Sequence, residues 1–160
     1  MRKINGIVFF ITIIIIIIAT GLFAQSNSFS KAVNPDKYEN DDTLEKAKPI
    51  KLNDVQDRTF STPMDADWVK VKVTNTDYYE FHAIGISDKL DCAMQLYASD
   101  GIMLAANDNY LTTTLDAKIF IRLTPGTYFL KVYTVSKDVL IDPLHQNRYA
   151  LQFSIPGQKK

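Results

Sequence analysis

The sequence predicts an all-β protein built as two packed antiparallel sheets. Short segments with an apolar residue at every second position recur along the chain. Turn pairs such as Asp100-Gly101 and Pro125-Gly126 separate these segments, and nothing after the N-terminal apolar run sustains a helical apolar stripe. A strand with one apolar face must bury that face, and two sheets packed against each other bury many such faces at once.

The alternation yields about eight strands. In one of them, Val69, Val71 and Val73 alternate with Lys70 and Lys72, and the other segments repeat this pattern. A single turn of helix is predicted at 43–48. The predicted strands cover 55–61, 69–73, 79–83, 92–97, 103–106, 118–123, 128–133 and 149–155.

Both ends of the chain are predicted to lie outside the sandwich. Residues 1–24 have the layout of a signal peptide, with a short basic segment, an apolar run and then small residues. The apolar stretch is just long enough to span a bilayer, so an uncleaved membrane anchor is the alternative. Residues 25–36 are interpreted as a flexible lead-in, 37–156 as the sandwich and 157–160 as a tail.

The signal segment predicts an exported protein that resides in the periplasm, on the cell surface or in the medium. The chain carries 18 basic and 18 acidic side chains, and removal of Arg2 and Lys3 with the leader makes the remainder slightly acidic. This balance argues against nucleic acid as a partner, and contact with a membrane is expected only through an uncleaved N-terminal segment. The single cysteine, Cys92, excludes an intramolecular disulfide and is predicted to be a small buried apolar residue.

Five carboxylates gather in two short stretches on either side of the first predicted strand: Glu39, Asp41, Asp42, Asp65 and Asp67. If both stretches meet at one end of the sandwich, a cation between them relieves their mutual repulsion. Calcium takes about six to eight oxygen ligands in irregular geometry and is therefore the predicted ion. The alternative is structural: Asp42 caps the turn at 43–48, while Asp65 and Asp67 organise the turn before Trp68.

Four aromatic residues occupy positions opposite the apolar side of their strands: Tyr97, Phe120, Phe129 and Tyr133. A solvated sheet normally carries Lys, Thr or Glu there. Aromatic side chains bury large areas at little entropic cost, which suits a surface that contacts a protein or polymer. The alternative is that the rings pack beneath the apolar excursion at 136–148 or against one another.

The sequence offers little support for enzyme chemistry. The two histidines, His82 and His145, lack a metal-ligand spacing, and no Gly-x-Ser-x-Gly motif frames a serine. Cys92 lies in an apolar strand and not in an electropositive pocket. A non-catalytic protein is therefore predicted, and an enzyme whose site is assembled from distant loops is the remaining alternative.

Four short signatures occur in a characteristic order: Glu39–Thr43, Asp65–Trp68, Leu96–Gly101 followed by Asn107-Asp108, and Pro125–Tyr128. Over residues 36–155 the chain resembles the bacterial pre-peptidase C-terminal domain, a secreted β-sandwich usually appended to extracellular proteases and related to the collagen-binding domains of clostridial collagenases. The resemblance implies a jelly-roll-like sandwich that binds an extracellular protein or polymer. Because no protease accompanies the module in this sequence, an accessory role beside a separately encoded secreted protease is the alternative.

The resemblance also bears on calcium. Calcium-binding members of the collagen-binding branch place their ligands in the two acidic segments, where Glu39 and Asp42 match the first pair and Asp65 and Asp67 the second. Two departures weaken this match: Lys37 stands where those members carry another Glu, and Asn40-Asp41 replaces a Pro-Asn pair. The expectation is therefore a calcium site of modest affinity.

Overall fold

The computed structural model describes residues 35–62, 64–86, 90–135 and 147–158. These ranges contain one short 3-10 turn at Leu44–Lys46 and nine strands. The strands are β1 (Lys48–Ile50), β2 (Val55–Thr59), β3 (Ala66–Val73), β4 (Asp77–Gly85), β5 (Cys92–Ala98), β6 (Met103–Asn107), β7 (Ala117–Leu123), β8 (Gly126–Thr134) and β9 (Arg148–Ser154).

The N-terminal predictions fall almost entirely outside these ranges. The signal segment and the lead-in are not described, apart from Pro35 and Asp36. Of the excursion at 136–148, only Asn147 and Arg148 are described. Within the described part of the chain, no helix is long and apolar enough to cross a membrane.

The strands form two sheets, in the orders β1-β3-β8-β5-β6 and β2-β9-β4-β7. Their pairing follows one rule: β2 pairs with β9, β3 with β8, β4 with β7 and β5 with β6, all antiparallel. The chain is thus one long antiparallel ribbon that is rolled up so that successive pairs alternate between the sheets. This arrangement is a jelly roll, and it confirms the predicted all-β sandwich.

The structure contains one strand that the sequence did not predict, β1. Residues 44–46 form the 3-10 turn, and β1 then runs parallel to β3, with Pro49 beside Lys70. Proline has no N–H to donate, so it is suited to an edge strand, and β1 is the edge of its sheet. Three residues are too few to show a period of two, which is why the sequence did not reveal this strand.

The predicted alternation places the core between the sheets. In β3, Val69, Val71 and Val73 are buried while Lys70 and Lys72 are exposed. The core cluster draws on both sheets and includes the stacked rings of Phe81 and Phe153, whose centroids lie 4.9 Å apart. Cys92 is a free, buried cysteine, as predicted.

Candidate metal centre and aromatic sheet face

Three carboxylates meet near the turn that joins β2 to β3. Glu39, Asp42 and Asp65 each present one oxygen, and these oxygens lie within 4.8 Å of one another. Asp65 is only 4% exposed, whereas Asp42 faces solvent. We refer to these three residues as the acidic triad.

Backbone contacts position the acidic triad. The Ser61 N–H donates a hydrogen bond to the carboxylate of Asp65, and the Asp65 N–H donates to the carbonyl of Thr62 at 3.2 Å. The segment that carries Glu39 and Asp42 is tied to β2, because the Thr59 N–H donates to Asp36 Oδ2 at 2.7 Å. The triad therefore joins two segments that are distant in sequence.

The acidic triad is electrostatically costly without a counter-ion. Burial, followed by the negative charge of Asp65, raises the pKa of Glu39 to about 7. Burial also raises the pKa of Asp65 to about 6, and Asp42 adds to this rise. Glu39 Oε1 and Asp65 Oδ1 are buried and accept no hydrogen bond. Because buried oxygens without donors are unfavourable, the three carboxylates fit a hard divalent cation, which would neutralise and coordinate them.

These pKa values predict how the stability of the metal-free protein depends on pH. Glu39 and Asp65 have ordinary pKa values of 4.5 and 3.8, which folding raises to about 7 and about 6. At a pH between the ordinary and the raised pKa values, the folded chain therefore holds more protons than the unfolded chain. The stability that this difference contributes is fully present below the ordinary values and is lost as the pH rises through the raised values.

We expect the free energy of unfolding in chelator to fall between about pH 4 and pH 8. Urea titrations across this range measure the fall. The Glu39→Gln variant, which removes one of the two groups, should show a shallower profile. A native profile that stays flat, or a variant profile as steep as the native one, would contradict the assignment.

The other two predicted metal ligands lie in a different place. Asp41 and Asp67 face Arg58 inside the sandwich, where Arg58 Nη1 lies 2.7 Å from Asp41 Oδ2 and 3.4 Å from Asp67 Oδ1. The prediction that all five carboxylates share one site is therefore wrong for these two. The reason is that Arg58 supplies the positive charge beside Asp41 and Asp67, where the sequence predicted a metal ion.

Neighbouring polar groups support Arg58 in the interior. Its Nε and Nη2 donate to Gln56 Oε1 at 3.0 and 2.9 Å, and the hydroxyl of Tyr149 donates to Asp67 Oδ2. Burial raises the pKa of Asp67, and the positive charge of Arg58 opposes that rise. We refer to Arg58, Gln56, Asp41, Asp67 and Tyr149 as the buried arginine network. A buried guanidinium is tolerated when carboxylates and hydrogen bonds pair it in this way.

The four predicted surface aromatics do not form a single face. Tyr97 on β5, and Phe129 and Tyr133 on β8, lie on the outer side of the five-stranded sheet and are partly exposed. Phe120 lies on β7 in the other sheet, where it is 58% exposed and stacks on Tyr78 at 5.1 Å. The outward position of each ring was visible in the sequence, but the sheet that each strand joins was not, because sheet membership depends on long-range pairing.

Three further residues complete the surface on the five-stranded sheet. The Trp68 ring lies 5.5 Å from that of Tyr97, between centroids. Lys131 Nζ lies 5.9 Å from the Trp68 centroid and 5.2 Å from that of Tyr133, and the Tyr97 hydroxyl donates to Gln95 Oε1 at 2.7 Å. We refer to Trp68, Gln95, Tyr97, Phe129, Lys131 and Tyr133 as the aromatic face.

The sequence contained a signal for Trp68 that the aromatic prediction did not use. Trp68 shares the register of Lys70 and Lys72, which are outward residues of the same strand. Lys131 and Gln95 carried no comparable signal. They look like ordinary solvated residues until the pairing of β3, β8 and β5 places Trp68, Lys131 and Gln95 in one row across the sheet.

Cys92 and His82, the described residues among those considered for catalysis, show no sign of activation. Burial raises the pKa of the Cys92 thiol, which is opposite to the lowering that makes a cysteine reactive. Burial, together with the charge of Lys118, lowers the pKa of His82. His145 lies outside the described residues.

The chain is similar to parts of solved structures. The pre-peptidase C-terminal domain of a collagenase from Bacillus anthracis matches with a TM-score of 0.54 and 15% sequence identity, over 67% of this chain and 93% of that domain. A cycloisomaltooligosaccharide glucanotransferase from Paenibacillus sp. matches with a TM-score of 0.31 and 20% identity, over 59% of this chain and 13% of that one. No family model and no curated protein matches the chain. The resemblance drawn from the four signatures is thus confirmed at the level of structure, and the chain has the fold of the bacterial pre-peptidase C-terminal domain.

Proposed function

We propose that this chain is an exported, non-catalytic accessory module that binds an extracellular protein or polymer through the aromatic face. The observation that carries this proposal is the cluster of partly exposed rings, Trp68, Tyr97, Phe129 and Tyr133, on one outer sheet surface. Aromatic side chains grouped in this way are typical of binding surfaces. The fold it shares with a domain of a collagenase supports an accessory role.

The aromatic face is partly organised before any ligand arrives. The hydrogen bond between Tyr97 and Gln95 holds one ring, and the Lys131 ammonium lies near the rings of both Trp68 and Tyr133. Side chains that are already held in place lose less conformational entropy on binding, so more of the contact energy appears as affinity.

Calcium at the acidic triad is the second part of the proposal. Glu39, Asp42 and Asp65 would hold the ion, which would supply positive charge to two buried oxygens that now accept no hydrogen bond. Because the triad connects the segment before β1 to the turn between β2 and β3, the ion would stabilise the folded chain. Its role would be structural.

The binding role is tested by affinity capture with the immobilised full chain. Culture medium and envelope extract are passed over the native protein, a Trp68→Ala/Tyr97→Ala double variant and a Phe120→Ala control. We expect a partner that the native chain and the control retain and that the double variant loses. Mass spectrometry identifies this partner, and a secreted protease among the retained proteins would support the accessory-subunit alternative.

The control variant makes the capture experiment specific. Phe120 is an exposed aromatic residue on the opposite sheet, so its removal changes surface hydrophobicity without touching the aromatic face. Capture that is equal for all three proteins, or lost equally in the double variant and the control, would contradict the role of the aromatic face.

A further inference from the structure

We propose that the aromatic face binds an anionic polysaccharide, a polymer of sugar rings that carry carboxylate groups. This inference rests on the proposed function, since it assigns a chemical class to the ligand of the same surface. Three properties of the face support it: a local excess of positive charge, partly exposed aromatic rings, and neutral hydrogen-bonding groups between those rings.

The charge on the three central strands of this surface is of one sign, while Asp108, just beyond β6, lines a hollow beside Tyr133. The outward positions of β3 and β8 contribute Lys70, Lys72 and Lys131, and no described outward position of β3, β8 or β5 carries a carboxylate. None of the three lysines forms an ion pair with a described carboxylate. Because the whole chain has equal numbers of acidic and basic side chains, this excess is local to the face. A surface of this kind attracts and orients an anionic ligand.

Lysines and aromatic rings lie side by side in neighbouring rows of the sheet. Trp68, Lys131 and Gln95 form one row, and Lys70, Phe129 and Tyr97 form the next. Rows that are two residues apart along a strand are separated by about 7 Å. A flat polymer lying on the sheet would therefore contact aromatic rings and ammonium groups together.

The neutral polar groups favour a sugar over other anionic polymers. Gln95 Oε1 accepts a hydrogen bond from the Tyr97 hydroxyl at 2.7 Å, and Gln95 Nε2 donates to the Tyr133 hydroxyl at 3.4 Å. The two phenolic oxygens keep acceptor capacity toward the hydroxyl groups of a ligand. A sugar acid has apolar C–H faces for the rings, hydroxyls for these groups and a carboxylate for the lysines. Nucleic acid would call for a more basic chain than one of zero net charge.

The outer surface of the other sheet differs in this respect. There Phe120 is also exposed, but the nearby Lys118 is paired with Glu80 at 3.2 Å. The aromatic residue on this surface therefore lies among charges of both signs, because the outward carboxylate of Glu80 accompanies the basic residues Lys118 and Arg122. The two surfaces of one molecule provide an internal comparison.

The test is calorimetric titration of the full chain with oligogalacturonate, an oligomer of a sugar acid, and with dextran as the neutral probe. Chelator is present throughout, so that calcium cannot bridge the acidic triad and the ligand. We expect binding of oligogalacturonate that weakens as salt is raised, and much weaker binding of dextran. Trp68→Ala should lower the affinity about tenfold, Lys131→Gln should lower both the affinity and its salt dependence, and Phe120→Ala should leave both unchanged.

Several results would overturn the inference. Equal affinity for dextran and oligogalacturonate would remove the role of charge, and equal loss in Phe120→Ala would remove the role of the face. Two results would remove the sugar assignment and leave the proposed function standing. One is that polyglutamate or single-stranded DNA binds as tightly as oligogalacturonate. The other is that the aromatic face captures a protein while oligogalacturonate fails to bind. If no probe bound and the capture experiment showed no variant-dependent partner, both would fall. Should Trp68→Ala not fold, as judged by circular dichroism, Lys131→Gln and Lys70→Gln still decide the outcome.

Discussion

Replacing Arg58 with methionine is expected to lower the free energy of unfolding by about 3–5 kcal/mol. Arg58, Asp41 and Asp67 are each no more than 1% exposed. Methionine keeps much of the apolar volume of the arginine stem but removes the positive charge, which leaves two carboxylates unpaired in the interior. Urea unfolding at neutral pH, followed by tryptophan fluorescence, measures the loss.

A matched control and a rescue variant make this result interpretable. Arg122→Met removes an exposed arginine from β7, and we expect it to change stability by no more than about 0.5 kcal/mol. Adding Asp41→Asn and Asp67→Asn to Arg58→Met removes the uncompensated charges and should recover part of the loss. A loss below about 1 kcal/mol in Arg58→Met alone would show that the buried arginine network contributes little.

Calcium is expected to raise the melting temperature of the native chain and to leave that of Asp65→Asn unchanged. A ligand that binds only the folded state stabilises it by about 2.7 kcal/mol when its concentration is one hundred times its dissociation constant. Asparagine at position 65 keeps an oxygen that can accept the hydrogen bond from the Ser61 N–H, but it lacks the charge that the ion requires. Thermal melts in chelator and in excess calcium measure the difference.

Two other aspartates separate the metal site from general effects of charge. Asp57→Asn alters an exposed position on β2 and should retain the full calcium effect. Asp67→Asn should lower the melting temperature in both conditions and still retain the calcium effect, because Asp67 belongs to the buried arginine network. Identical native melting curves in calcium and in chelator would exclude a stabilising calcium site, and loss of the effect in Asp67→Asn but not in Asp65→Asn would place the ion elsewhere.

The acidic segments were only partly predictable from their sequence. Their composition correctly indicated that Glu39, Asp42 and Asp65 could converge. It could not separate them from Asp41 and Asp67, since all five are carboxylates within two short stretches. The separation depends on Arg58, which lies 17 positions from Asp41 along the chain, and on Tyr149, which lies 82 positions from Asp67. A local sequence pattern does not reveal contacts between residues so far apart along the chain.

The surface aromatics were also predictable only in part. The alternation within each strand correctly predicted that Phe129 and Tyr133 would be partly exposed. It did not show that Phe120 belongs to the other sheet, or that Trp68 and Tyr97 meet across β8. These contacts arise from the order of strands in the rolled ribbon.

The sequence by itself determined eight of the nine described strands and which side of each faces the core, because burial in a sheet imposes a period of two on neighbouring residues. It also determined the fold, because its turn and acidic signatures occur in the order typical of one known domain. Only the tertiary structure decided which carboxylates share the candidate metal centre, which aromatics share a face, and that Arg58 provides the interior charge. Those groupings depend on contacts between distant segments, and long-range strand pairing is what brings such segments together.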